Sequence, residues 1–476
     1  MHLQRTPCIL ITVDCLRVDH VGCFGYKQRT TPNIDRLAQD SIIFTNAFSN
    51  GPYTTSSFPS IFTSTILLRY KGEDLPLSPE RPTLTETLQK NGYSTAAFHS
   101  NPYLSSGFGY NRGFDYFEDF GAEPIGKEER IRGLKGQIHG FLADLNNRIL
   151  TTLKAHRMDR TVLSRVFNLL SFYYTCLVGY SGARADGATI TEKAISWLSK
   201  NPSSFIWLHY MDVHGPYIPP RKHRDKFCSE RISFYQQAKA LSKRETPESV
   251  TRREVDILID LYDASVYYVD ECIGTLISQL KAMKIYENCL IIIAADHGEE
   301  FTEHTSFSHG CKLYDELLHI PLIIKLPDSM SHQEVKGLCS LIDLAPTILD
   351  ILKIPRDISF DGTSLLSMVE RKSAGRPWVI GACGNSDEEG KKKKLFSLRT
   401  EKWKYIFKEG MSDELYNLQT DPKEKENLAK TCHEIREKLK SKLIQLSSKV
   451  YYDLPSTPSV LMDKKMKMRL KALGYS

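Results

Sequence analysis

The feature that most restricts how this chain can fold is a set of short apolar runs, far apart in sequence, each followed by acids or histidines. CILITV leads into Asp14, FIWLHY carries His209 and leads to Asp212 and His214, and CLIIIAA leads into Asp296 and His297. Runs of this length, rich in β-branched residues and without polar alternation, read as strands covered on both faces. A parallel sheet clad in helices requires such strands. Further strand candidates lie at 41–48, 94–98 and 321–324, with helix candidates at 33–40, 83–91, 186–199 and 253–283. The expected fold is α/β, a mostly parallel sheet flanked by helices. Ligands of open sheets bind at the carboxyl ends of the strands. Asp14, His209, His214, Asp296 and His297 are therefore expected to meet at one edge.

Beyond about residue 375 the pattern changes to short alternating strands at 378–381, 394–400, 404–408 and 414–418, then a charged helix at 424–449 and a basic tail. This divides the chain into a catalytic domain, 1–375, with a helical insertion at about 122–190, and a small antiparallel sheet-and-helix subdomain, 376–476. The run Lys391–Lys394 is expected at a solvated hairpin tip. The net charge of +6 is a mild excess for 476 residues. No arginine-rich arm accompanies it, so a nucleic-acid partner is not expected.

The eleven cysteines are odd in number and show no CxxC pair, which points to reduced thiols and a cytoplasmic setting. The apolar stretch at 7–13 passes directly into an acid and reads as a strand, not a signal peptide. The aromatic-rich stretch 162–180 reads as an amphipathic helix of the insertion, with peripheral membrane contact as the alternative.

An acid and a histidine side by side at a strand end supply one hard oxygen and one imidazole nitrogen, a combination suited to zinc or manganese. Alone, Asp296-His297 would also read as a turn with a helix cap. Asp14 ends its strand in the same way, however, and His304 and His309 follow in EHTSFSHG.

Six blocks in order carry a wider likeness: ILITVDCLRVDHVGCFGY, TPNIDRLAQDSIIFTNAFS, FIWLHYMDVHGPYIPP, ADHGEEF with HGCKLYDELLHIPLIIKLP, LIDLAPTILDIL with FDGTSL, and ELYNLQTDPKEKENLA with the closing RLKALGYS. The chain resembles the sulfatase family of the alkaline-phosphatase superfamily. The resemblance implies one divalent metal ion (zinc, manganese, magnesium or calcium) on Asp14, Asp296, His297 and the nucleophile. It implies His309 as electrophile or general acid toward the leaving group and His214 as a substrate contact. Arg17, His209 and His304 are read as substrate-binding residues, the alternatives being that Arg17 pairs with Asp14, that His209 orients His214 or satisfies its loop, and that His304 stands behind the site.

The nucleophile segment, NGPYTTSSFPSIFTS, admits two registers. Matching IFTS to the family's LLTG places the nucleophile on Thr54; matching Pro59 to the signature proline places it on Ser57. Both flanks agree with the first. Three departures from the family pattern stand out: Cys15 follows Asp14 where a second acid is common, Phe58 replaces the signature arginine, and no second metal site assembles. A family sulfatase oxidises Cys or Ser to a formylglycine aldehyde, which a threonine cannot form. A hydroxyl nucleophile fits phosphate esters instead, borne on a small molecule, glycan or lipid head group. The alternatives are a sulfuric-ester hydrolase and a catalytically inactive, sulfatase-like binding protein.

Overall fold

A computed structural model describes residues 5–66, 77–79, 81–120, 185–228, 250–356, 360–386 and 392–448. The expected helices of 122–184 and the 162–180 membrane contact lie outside the described residues. Among those described, no helix is long and apolar enough to cross a membrane.

The central sheet has eight strands in the order Gln333–Val335, Ile42–Phe44, Leu322–Lys325, Leu290–Ala295, Cys8–Val13, Phe205–Tyr210, Thr95–His99 and Tyr116–Asp119. Cys8–Val13 runs at its centre, parallel to both neighbours, with Val13 level with Tyr210 on one side and Ala295 on the other. Every residue of these three strands is buried, which is why they read as continuous apolar runs. The α/β expectation is met, with one difference: Leu322–Lys325 runs antiparallel to both neighbours. The chain leaves Ala295 at the carboxyl edge, folds its loop there and re-enters from the same edge, so the reversal is forced.

The expected strand at 41–48 also divides. Ile42–Phe44 stays in the main sheet, whereas Ala47–Phe48 joins His319–Ile320 and Cys339–Ser340 in a three-stranded sheet. The crossover falls at Thr45 and Asn46, whose backbones bond to Val335 and Cys339.

Helices cover the sheet as their caps dictate. Thr251 and Glu254 form a reciprocal capping box at the start of the 31-residue helix Arg252–Ala282. That helix buries Leu258, Leu261, Tyr262, Val266, Val269, Ile273 and Leu276, each three or four residues from another. From its polar interior Asp270 accepts from the backbone N–H groups of Asn33 and Ile34, capping the helix Pro32–Ala38.

The C-terminal strands, Val379–Ser386, Lys392–Arg399, Trp403–Lys408 and Glu414–Asn417, form one antiparallel sheet in sequence order. The helix His433–Ser448 lays Leu439 and Leu443 on it. It begins nine residues later than the expected 424 because Glu424 has a left-handed φ of 53° and is a buried ion-pair partner instead. Phe48, Leu313 and Leu318 of the main body pack against Val379, Ile406 and Tyr416 of this sheet.

Within the joint, the fully buried Lys404 ammonium pairs with Asp315 at 2.7 Å and Glu424 at 2.8 Å. A disulfide links Cys311 to Cys383 across it. The expectation that all thiols are reduced is corrected here. These two cysteines are 72 residues apart, and no local spacing marks them as a pair.

Removing one member of a buried ion pair strands its partner without water; here that partner is Glu424, since Asp315 keeps Arg399 at 3.2 Å. Lys404→Ala is therefore expected to cost about 3–5 kcal/mol of unfolding free energy. Urea denaturation measures it, and a loss under about 1 kcal/mol would show that the joint does not rest on this cluster.

Candidate metal-centred active site

The strand ends deliver their polar residues to one point, as the topology requires. Asp14 and Asp296 follow the level residues Val13 and Ala295 of neighbouring parallel strands, and both are fully buried. His297 completes the centre. Its Nδ1–H donates to the carbonyl of Gly298 at 2.8 Å, which leaves the Nε2 lone pair facing inward. Nε2 lies 3.6 Å from Asp14 Oδ1, 3.4 Å from Asp296 Oδ2 and 3.5 Å from Thr54 Oγ1.

Thr54 arrives from a different layer. It is the first residue of the helix Thr54–Thr63, capped by Tyr53, whose N–H donates to Ser56 Oγ. The loop before it passes so close that a Cβ on Gly51 would lie 2.2 Å from Ser56 Oγ. In this register Thr54 faces the centre, while the Ser57 hydroxyl turns back along the helix to donate to the Thr54 carbonyl at 3.2 Å.

Electrostatics press on the two carboxylates in opposite directions. Burial raises the pKa of Asp296, and the adjacent Asp14 raises it further. Burial opposes ionisation of Asp14 too, but the hydrogen bond from His209 works to hold its pKa well below the usual range. Two such carboxylates without a cation carry a proton between them; a dication lets both ionise.

The residues fit a divalent ion. Asp296 Oδ2 is buried and accepts no hydrogen bond from any described residue. The three oxygens ringing His297 Nε2 sit at the spacing of metal donors, roughly 3.3 Å for bonds of about 2.0 Å at tetrahedral angles. Asp14, Asp296, His297 and Thr54 would hold the ion, which would admit a substrate oxygen by expanding beyond four ligands.

A second ring of residues orients these. His209 Nε2–H donates to Asp14 Oδ2 at 3.2 Å, and its Nδ1 meets Thr12 Oγ1 at 2.9 Å. Asn101 Nδ2 donates to the same Asp14 oxygen at 3.2 Å. His309 Nδ1 sits 3.1 Å from Glu299 Oε1, and the other oxygen of Glu299 accepts from the Tyr217 hydroxyl at 2.8 Å. Its ring centre is 4.6 Å from that of His297 and 5.0 Å from that of His214. His214 donates to its neighbour's carbonyl, Gly215, at 2.6 Å, and burial pushes its pKa down to about 3, so it is neutral.

Three residues expected on the substrate side are placed otherwise. His209 is fully buried between Thr12, Asp14 and the edge of Phe58, so it orients a carboxylate. Arg17 gives its guanidinium to Asp19, Glu303 and the Glu299 carbonyl. His304 stacks on Tyr314 with ring centres 3.6 Å apart and bonds both Glu316 and the Glu424 carbonyl, which puts it in the joint. All three lie near the site in sequence, but strong local acceptors claim their donors. Conversely, Glu299 escaped the sequence reading, because the second acid of an acidic run ordinarily faces solvent. The buried strand just before it is the signal that it does not.

A family model described as Sulfatase matches residues 8–354. The chain belongs to the sulfatase family. A second model, described as N-sulphoglucosamine sulphohydrolase, C-terminal, matches residues 302–449. Relatives include arylsulfatase K of Homo sapiens, 29% identical over 87% of this chain and 76% of that protein. Another is the uncharacterized sulfatase YidJ of Escherichia coli K12, 23% identical over 94% of this chain and 88% of that protein. Among solved structures, the phosphonate monoester hydrolase of Agrobacterium radiobacter superposes with a TM-score of 0.69 at 19% identity, covering 94% of this chain and 96% of that one. A 2-O GAG sulfatase gives 0.67 at 19%, covering 97% and 96%. At these identities the structural likeness speaks for the fold.

Residues that orient metal ligands typically set affinity by 10- to 100-fold. Asn101→Ala is therefore expected to weaken divalent-metal binding about 10- to 100-fold, read by chelator competition, with the fold intact by circular dichroism. Unchanged affinity would remove Asn101 from the site.

Proposed function

We propose that this sulfatase-family protein is a metal-dependent hydrolase or transferase of phosphate esters that uses Thr54 as its nucleophile. The observation that carries this reading is the side chain at the head of the helix Thr54–Thr63. It is a threonine hydroxyl, 3.5 Å from His297 Nε2, and a threonine cannot be oxidised to the aldehyde of formylglycine sulfatases. The metal would be held by Asp14, Asp296, His297 and Thr54. When bound, a divalent ion lowers the pKa of a hydroxyl and offsets charge on the transferred group.

The protein's own groups supply the rest. Thr54 Oγ1, its hydroxyl proton first released to solvent, forms a bond to phosphorus as the ester oxygen departs, giving a phosphothreonine, and leaves again as the alkoxide when the phosphoryl group is removed. His309, oriented by Glu299, delivers a proton to the departing oxygen and then takes one from water or an acceptor alcohol that removes the phosphoryl group. Neutral His214, 5.0 Å from His309 between ring centres, borders the space where the ester would sit. The basic excess of the chain favours anionic esters of small molecules, glycans or lipid head groups.

A second reading, sulfate-ester hydrolysis, is supported by the family match and by relatives named arylsulfatase K. A panel of aryl phosphate monoesters, diesters and sulfates, assayed with several metals, separates the two. Phosphate esters are expected to turn over, with one phosphoryl group trapped by acid quench on the peptide bearing Thr54. Thr54→Ala is expected to lower kcat by at least about 10³-fold and abolish trapping, with Thr54→Ser retaining both. Turnover of sulfates alone by unmodified protein, or an aldehyde at Ser57, would overturn the phosphoryl assignment.

A further inference from the structure

Resting on the metal site proposed above, we propose that Cys15 supplies a thiolate ligand to the same ion and thereby makes the site select zinc over magnesium and calcium. Cys15 is fully buried, and its Sγ lies 3.0 Å from Asp14 Oδ1. Potential ligand atoms of Asp14, Cys15 and His297 all lie within 4.8 Å of one another. Zinc–sulfur bonds of about 2.3 Å and zinc–nitrogen bonds of about 2.0 Å place neighbouring donors roughly 3–3.5 Å apart, so one ion expanded beyond four ligands can take Cys15 as a fifth protein ligand.

The backbone shows that the thiol is held there. Cys15 has a φ of 59°, a left-handed conformation uncommon for any residue but glycine, asparagine and aspartate. Three bonds enforce the turn. The Cys15 N–H donates to Asp296 Oδ1 at 3.3 Å, its carbonyl accepts from the Tyr262 hydroxyl at 2.7 Å, and that hydroxyl accepts from the Arg17 N–H at 2.8 Å. The turn carries the side chain to the carboxylate edge instead of into the apolar core beneath. Strained residues of this kind cluster at functional sites. His309 Nδ1 is 3.5 Å from the sulfur, so an imidazole edge flanks it opposite Asp14.

The consequence is a choice of metal. Two carboxylates, an imidazole and a hydroxyl are borderline donors that serve magnesium, manganese or zinc. A thiolate is soft, and hard cations bind it poorly, whereas zinc and cobalt bind it well. The thiol proton leaves to solvent as the metal–sulfur bond forms, as thiolate ligation requires.

The full-length protein tests this directly. Metal-free protein is offered equal concentrations of zinc, manganese, magnesium and calcium, and bound metal is counted by mass spectrometry. Zinc is expected, with X-ray absorption at the zinc edge showing one sulfur neighbour at about 2.3 Å. Loaded with cobalt(II), wild-type protein should show a near-ultraviolet sulfur-to-cobalt charge-transfer band. Cys15→Ser should lose that band and the sulfur neighbour while still binding cobalt. Cys15→Asp should shift uptake toward manganese and magnesium by at least tenfold relative to zinc. An ion in wild-type protein surrounded by nitrogen and oxygen alone, or a band that persists in Cys15→Ser, overturns the thiolate assignment and leaves the metal site standing. Wild-type protein that binds no divalent ion overturns both. The absorption measurement on wild-type protein decides the matter even if Cys15→Ser does not fold.

Discussion

Two carboxylates, Asp14 and Asp296, are buried side by side because the strands that precede them are parallel neighbours in register. Buried like charges at that separation resist joint ionisation. The surrounding structure is arranged around that conflict: His209 and Asn101 donate to Asp14, the backbone of Cys15 and His297 donates to Asp296, and one carboxylate oxygen is left without a donor. Parallel β topology and the pairing of the two acids are thus one requirement. A sheet with alternating strand directions would separate these acids by the length of a strand.

How a second layer reaches this point is also physical. The helix Thr54–Thr63 sits with its amino end at the sheet edge, and Gly51 lets the entering loop press onto Ser56. On the other side, Gly298 lets the chain pass the carbonyl of Glu316, to which a Cβ would come within 2.0 Å. Two glycines thus allow the close approaches that bring hydroxyl and imidazole within reach of one another.

Much of this was legible in the sequence because burial on both faces leaves an unbroken apolar run, and the residue after the run is placed by topology alone. Asp14, Asp296 and His297 could be read in that way, and the flanks of NGPYTTSSFPSIFTS singled out Thr54, which the structure puts at the head of its helix. Arg17, His209 and His304 were legible as nearby but not as claimed by Asp19, Asp14 and Glu316, since local acceptors decide where a flexible donor points. The reversal of Leu322–Lys325 and the Cys311–Cys383 link depend on chain paths that no local pattern encodes.

The disulfide has a mechanical meaning. Cys311 stands two residues after His309, and Cys383 lies in the first strand of the C-terminal sheet. His304, a few residues before His309, is fastened to the carbonyl of Glu424 from the same C-terminal region. The loop that presents His309 is therefore gripped at both ends by residues beyond 375. The described strands of that region stand outside the centre, yet they act as its jig. A chain ending before them would keep Asp14, Thr54, Asp296 and His297 while losing the grip on the loop of His309.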